Sequence, residues 1–125
     1  MEPTIECGKH LAEHVNIAGS RFDDVNLTDA EFNNICLANA SFTDINFSDI
    51  SVSCVRMDGA KFKNVGLPPG SEGKQRPLTF ENCDFNGSTF KGCDLSNVRI
   101  DSCVITGMRI DGVLVKDMIA AYQQG

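Results

Sequence analysis

The sequence predicts a repeat architecture of five-residue units, in which each unit buries its apolar side only by stacking on its neighbours. The first observation is that all eight phenylalanines fall on one progression with a step of five, interrupted once. From Ile17 it runs Phe22, Leu27, Phe32, Leu37, Phe42, Phe47, Val52, Met57, Phe62 and Leu67. It resumes at Phe80, Phe85, Phe90, Leu95, Ile100, Ile105, Ile110 and Val115. The second observation is a smaller apolar series two positions earlier, from Val15, Val25, Ala30 and Ile35 through to Cys83, Cys93, Val98, Cys103, Met108 and Val113. The third is that the remaining positions are mostly Asn, Asp, Ser, Thr, Lys, Arg and Gly. Neither a helix nor a flat strand generates this step. Two inward and three outward residues per unit describe a chain turning a corner at each repeat, with Asn, Asp and Gly tolerating the tight turns.

The units themselves carry a resemblance. VNLTD, AEFNN, ASFTD, CDFNG, STFKG and CDLSN resemble the A(D/N)LXX pattern of pentapeptide-repeat proteins, and the likeness covers residues 13 to 115. What it implies is an all-β fold: a right-handed quadrilateral parallel β-helix of about five coils with a C-terminal capping α-helix, four units to a coil. At a strand spacing of ~4.8 Å the implied body is a rod about 20–25 Å long. The smaller inward site departs from the family, holding Val or Ile often where Ala is favoured.

The elements follow in order within one domain, 1–125. Residues 1–14 fit the lattice poorly and are expected to form an N-terminal lid. Repeats occupy 15–69 and 78–115. Between them PPGSEGKQRP holds three of the four prolines, and residues 70–77 are read as a projecting loop, because Pro and Gly cannot continue strand pairing. Open repeat ends need covers. Val115, Met118, Ile119 and Tyr122 fall at helical spacing, predicting an amphipathic cap helix over 116–125, and the resemblance implies that this end could also serve a two-fold dimer contact.

Few motifs point to chemistry. His10-Leu11-Ala12-Glu13-His14 reads as H-x-x-E-H, an inverted zinc-peptidase pattern, but it lacks a third ligand and a catalytic domain. Cys83, Cys93 and Cys103 occupy the small inward site, where a free thiol serves as compact apolar filler. On twenty-residue coils Cys83 and Cys103 would share one face and Cys93 the opposite one. Cys36 and Cys54 fall at outward or corner positions. No nucleophile triad, phosphate-binding loop or carboxylate cleft appears, so neither enzyme activity, metal nor cofactor is expected.

Charge is the functional clue. The chain carries a formal charge of −6, which argues against direct nucleic-acid binding. From Phe22 to Val55 there are six acids, Asp23, Asp24, Asp29, Glu31, Asp44 and Asp49, and no Lys or Arg. On the implied coils Asp24 would stack on Asp44 and Asp29 on Asp49, at about 5 Å. The expected partner is therefore a protein with a basic surface, contacted by those acids and by Glu72, Lys74 and Arg76 of the loop. Among the roles that the resemblance implies, toxin immunity against a nuclease is the leading expectation. The rivals are a DNA-mimicking partner of a type II topoisomerase and a self-assembling scaffold. No apolar run approaches a membrane span, the start lacks a signal-peptide pattern, and the cytoplasm is the expected location.

Overall fold

The computed structural model describes residues 4–125, so the first three residues of the expected lid lie outside the described residues. The chain divides into an N-terminal segment, Met1–Ala60, and a C-terminal segment, Lys61–Gly125.

In both segments the backbone turns on the predicted lattice. Two residues after the lattice residues of the repeats φ becomes positive, Leu67 and Val115 excepted: Asp24 (56°), Asp29 (64°), Asn34 (53°), Asn39 (63°), Asp44 (55°) and Asp49 (61°). The same holds at Asn82, Gly87, Gly92, Asn97, Ser102 and Gly107. The left-handed conformation pushes Cβ toward the carbonyl oxygen, a clash that Gly avoids and that short polar Asn and Asp offset with local hydrogen bonds. Every corner from residue 14 to 64 and from 82 to 107 is Asp, Asn or Gly except His14, Cys54 and Ser102.

The corners are of two kinds, and they alternate. At Ile17, Leu27, Leu37, Phe47 and Met57 the lattice carbonyl accepts the amide three residues on, at 3.0–3.1 Å. With positive φ only at the third residue, these are turns of the type II kind. Phe85, Leu95 and Ile105 repeat the pattern at 2.9–3.1 Å. The corners between them are open bends without that bond. The structural repeat is therefore ten residues, two sequence units.

The outward residues on either side of a lattice position face each other. Asn26 Oδ1 accepts the Thr28 amide at 2.9 Å and hydroxyl at 2.6 Å, and Asn46 does the same for Ser48 at 2.9 and 2.6 Å. Asn16, Asp84 and Asp94 accept the amides of Ala18, Asn86 and Ser96 at 3.0, 2.9 and 2.9 Å. Elsewhere the same two places hold ion pairs: Arg21–Asp23 at 3.6 Å, Arg56–Asp58 at 2.6 Å and Arg99–Asp101 at 3.0 Å. On the other side, consecutive lattice rings touch. Phe42 and Phe47 lie 5.7 Å apart, Phe80 and Phe85 5.3 Å, and Phe85 and Phe90 6.3 Å between centroids.

The coils do not stack, and this corrects the expected quadrilateral parallel β-helix. Within either segment, no described residue brings its Cα within 8 Å of another twelve or more positions away. The only strands among the described residues are β1 (Arg109–Ile110) and β2 (Val113–Leu114), and they are antiparallel. No described residue is buried, and only Ile105, Met108, Leu114 and Val115 are half-buried. The chain exposes 13808 Å², about twice the roughly 6,600 Å² of a folded monomer of this length. The physical reason lies in range. The bonded corners are held by contacts spanning three residues, whereas stacking must close a loop of about twenty against chain entropy. A five-residue period is evidence for the first and silent on the second.

The C-terminal end is the most regular part. Asp111 (48°) and Gly112 (82°) both take positive φ, a two-residue type I′ turn that pairs Ile110 with Val113 and Arg109 with Leu114. The Val115 amide donates to the Met108 carbonyl at 2.9 Å. Helix α1 then runs over Val115–Gln124, with Leu114 at its N-cap and the Gly125 amide closing on the Tyr122 carbonyl. It follows the hairpin directly, with no coil beneath it to cap. No helix of the described residues is long and apolar enough to cross a membrane.

Candidate functional site

The corner geometry explains much of the acidic cluster from the backbone upward. Four of the six acids, Asp24, Asp29, Asp44 and Asp49, are corner residues. A short carboxylate is one of three side chains that suit the left-handed position, so its placement there is structural first. Its charge is not. Asn and Gly meet the same requirement, and corners 82–107 of the C-terminal segment use Asn, Gly and Ser without one acid. The N-terminal segment therefore carries negative charge that its turns do not demand.

The remaining two acids flank lattice rings. Asp23, beside Phe22, is paired with Arg21 across that ring, with both side chains at least 80% exposed. A pair so solvated contributes little. Glu31 sits beside Phe32 opposite Asn33 and has no ion-pair partner among the described residues. The expected columns are not formed. Asp24 does not stack on Asp44, nor Asp29 on Asp49, because among the described residues no Cα comes within 8 Å of one twelve or more positions away. The acids lie instead as a series along one stretch of chain.

The loop residues belong to the C-terminal segment. Its excursion opens earlier than expected, with a turn from Pro68 to Ser71 in which the Ser71 amide donates to the Pro68 carbonyl at 3.1 Å and Gly70 takes φ 84°. Gly73 (86°) turns the chain again, between Glu72 and Lys74, before Arg76. Lys74 is close enough to lower the Asp94 carboxyl, although the larger causes are the side-chain and backbone hydrogen bonds from Ser96. On α1, Val115 is half-buried against the hairpin, Met118 and Ile119 are partly covered, and Tyr122 is 87% exposed.

The thiols depart from the filler role. All six cysteines are free and exposed. Cys83, Cys93 and Cys103 donate to the carbonyls of Glu81, Lys91 and Asp101 at 3.4, 3.5 and 3.3 Å. They line one open concavity with Phe80, Phe85 and Phe90. Cys83 does not stack on Cys103, since among the described residues no Cα comes within 8 Å of one twelve or more positions away. In the H-x-x-E-H stretch His10 donates from Nε2 to the Glu6 carbonyl, and His14 (φ 53°) is a corner residue, so the two histidines do not share a helix.

The alternation of corners, the Asx bonds and the lattice rings all repeat on multiples of five. The profile of pentapeptide repeats matches residues 12–44 and 79–114, in eight copies. The chain belongs to the pentapeptide-repeat family. No curated protein and no solved structure matches it. Between the two matched stretches the corners at Asp49, Cys54, Gly59 and Asn64 keep the same left-handed geometry, so the pentapeptide backbone continues where the side chains drift from the pattern. Pentapeptide-repeat proteins are generally non-enzymatic scaffolds, and the family places the chain among protein-interaction modules.

The sequence reading missed two features. Asp111-Gly112 between Ile110 and Val113 is the strongest short hairpin signal a sequence carries. It was hidden because Ile110, Val113 and Val115 also fit the lattice. The facing of outward neighbours was missed because nothing in a step of five says that positions one before and one after a lattice residue are partners.

Proposed function

We propose that this pentapeptide-repeat protein is a non-enzymatic binding protein whose N-terminal segment engages a partner with a basic surface. The single observation carrying the reading is that corners 24, 29, 44 and 49 hold Asp where Asn and Gly serve the same geometry in the C-terminal segment. Charge that the turn does not require bears on recognition, and in an exposed series it steers a cationic partner. Within that reading the proposed role is immunity: blocking a toxin whose own substrate is nucleic acid and whose working face is therefore basic. Glu72, Lys74 and Arg76 offer a separate polar contact, and Met118, Ile119 and Tyr122 an apolar one.

The test removes charge and keeps shape. Asp24→Asn, Asp29→Asn and Asp44→Asn together preserve left-handed corners, because Asn adopts that conformation as readily as Asp. Capture of a basic protein from the source cell by the natural chain, lost in the triple variant and weakened by added salt, supports the reading. Equal capture by both chains overturns it. A captured protein whose toxicity is relieved on co-expression supports immunity. Protection of a gyrase in a supercoiling assay would assign the same acids to a topoisomerase instead.

A further inference from the structure

The facing pair around each lattice residue supplies the observation. Wherever both of its members are charged, they are of opposite sign, as at Arg21–Asp23, Arg56–Asp58 and Arg99–Asp101. One position breaks the rule. Lys61 and Lys63 flank Phe62, and neither has an ion-pair partner among the described residues. At the equivalent places elsewhere the charged tips converge to 2.6–3.6 Å. Two ammonium groups so placed repel each other, and both can reach one carboxylate inserted between them. Phe62 itself is 73% exposed, the most exposed of the phenylalanines. The charge bias continues along the C-terminal segment, where Lys61 to Arg76 holds four bases against one acid.

We infer that Lys61 and Lys63 form a clamp for an acidic corner of a second copy of this chain. The same chain carries the complementary element: six acids without a base between Phe22 and Val55, four of them at exposed corners. Charges separated by more than about 8 Å are screened at physiological salt. Local complementarity between these two stretches therefore outweighs the net charge that both copies share. Nucleic acid fits less well, because duplex binding typically draws on roughly six to ten phosphate contacts and the clamp offers two cations. Such a contact joins different surfaces of the two copies, so association proceeds head to tail unless two contacts close reciprocally. It also occupies the acids assigned above to a basic partner, and self-association then competes with partner binding. The inference goes beyond the binding reading and does not depend on it.

Sedimentation velocity of the full chain tests it with two variants. One is Lys61→Gln with Lys63→Gln, which keeps every acid. The other is Asp24→Asn, Asp29→Asn and Asp44→Asn, which keeps both lysines and all corners. The natural chain is expected to associate with rising concentration at low salt and to dissociate at high salt. Each variant alone should associate about tenfold more weakly or worse. A mixture of the two should recover association, since each supplies the half that the other lacks. A natural chain that stays monomeric at low salt overturns the inference. So does a lysine variant that associates as the natural chain does, or a mixture that fails to recover. Loss of association in Tyr122→Asp with full association of the lysine variant would move the self-contact to α1 and equally overturn it. Capture of a basic partner by the lysine variant should be undiminished, which separates failure here from failure of the binding reading.

Discussion

Arg109 donates from Nη1 to the carbonyl of Gly112 at 2.8 Å, so the side chain that opens the C-terminal hairpin also braces its turn. Gly112 takes φ 82° in that turn, and any Cβ there meets open space, so strain and not collision sets its cost. Gly112→Ala should destabilise the hairpin by about 1–2 kcal/mol. The readout is hydrogen exchange of the Val115 amide, which is bonded to the Met108 carbonyl at 2.9 Å. Exchange should quicken roughly 5–30-fold on that energy scale. An unchanged rate would mean that the pairing does not depend on the turn.

A second expectation concerns pH at the corner after Leu95. Hydrogen bonds from the Ser96 hydroxyl and amide hold the Asp94 carboxyl below the usual carboxylate range, with a smaller contribution from Lys74. A depressed native pKa adds stability above the unfolded value, near 3.9, and loses it as pH falls through the native one. The Leu95–Val98 turn should therefore loosen only in acid, below about pH 4. Titration of the Asp94 carboxyl by NMR should show its pKa rising in Ser96→Ala and rising less in Lys74→Gln. An equal or larger shift in Lys74→Gln would reverse the order of causes.

What was legible in the sequence is the local half of the structure. The corners at Asp29, Asn39 and Asn97 sit where the lattice places them, because their geometry is decided by bonds spanning three residues. Helix α1 begins at Val115, the first residue of its predicted apolar stripe, for the same reason. The implied stacking of Asp24 on Asp44 failed because no bond near either residue bears on it. Sequence period reports how often the chain turns, and only long-range contact decides what each turn meets. The acids of the candidate site were legible as charge and misread as a column. Their reason for being at corners appears only with φ in hand. Cys54, at φ 56°, marks the limit of such readings: it stands at a corner that suits Asn or Gly, and nothing in the structure explains it.

The interruption of the repeat yields the most direct test of the corner rule. Bonded and open corners alternate through Phe47, Val52, Met57 and Phe62, so Leu67 should begin a bonded turn with its left-handed residue at 69. Residue 69 is proline, whose ring holds φ near −65° and excludes that conformation. The turn is found one residue later. The Ser71 amide, not that of Gly70, donates, and it does so to Pro68 at 3.1 Å, with the positive φ moved to Gly70. Proline then occupies the second position of a type II turn and glycine the third, the arrangement each favours. The slipped corner marks where the lattice is lost, and a second turn at Gly73 (86°), three residues on and off the step of five, follows before it resumes at Phe80. Pro69→Asn should undo the slip. The expected result, read from scalar couplings and amide exchange, is positive φ at residue 69 and a protected Gly70 amide bonded to the Leu67 carbonyl. Protection that stays on the Ser71 amide would show that the following Gly-rich residues, and not the proline ring, set the break.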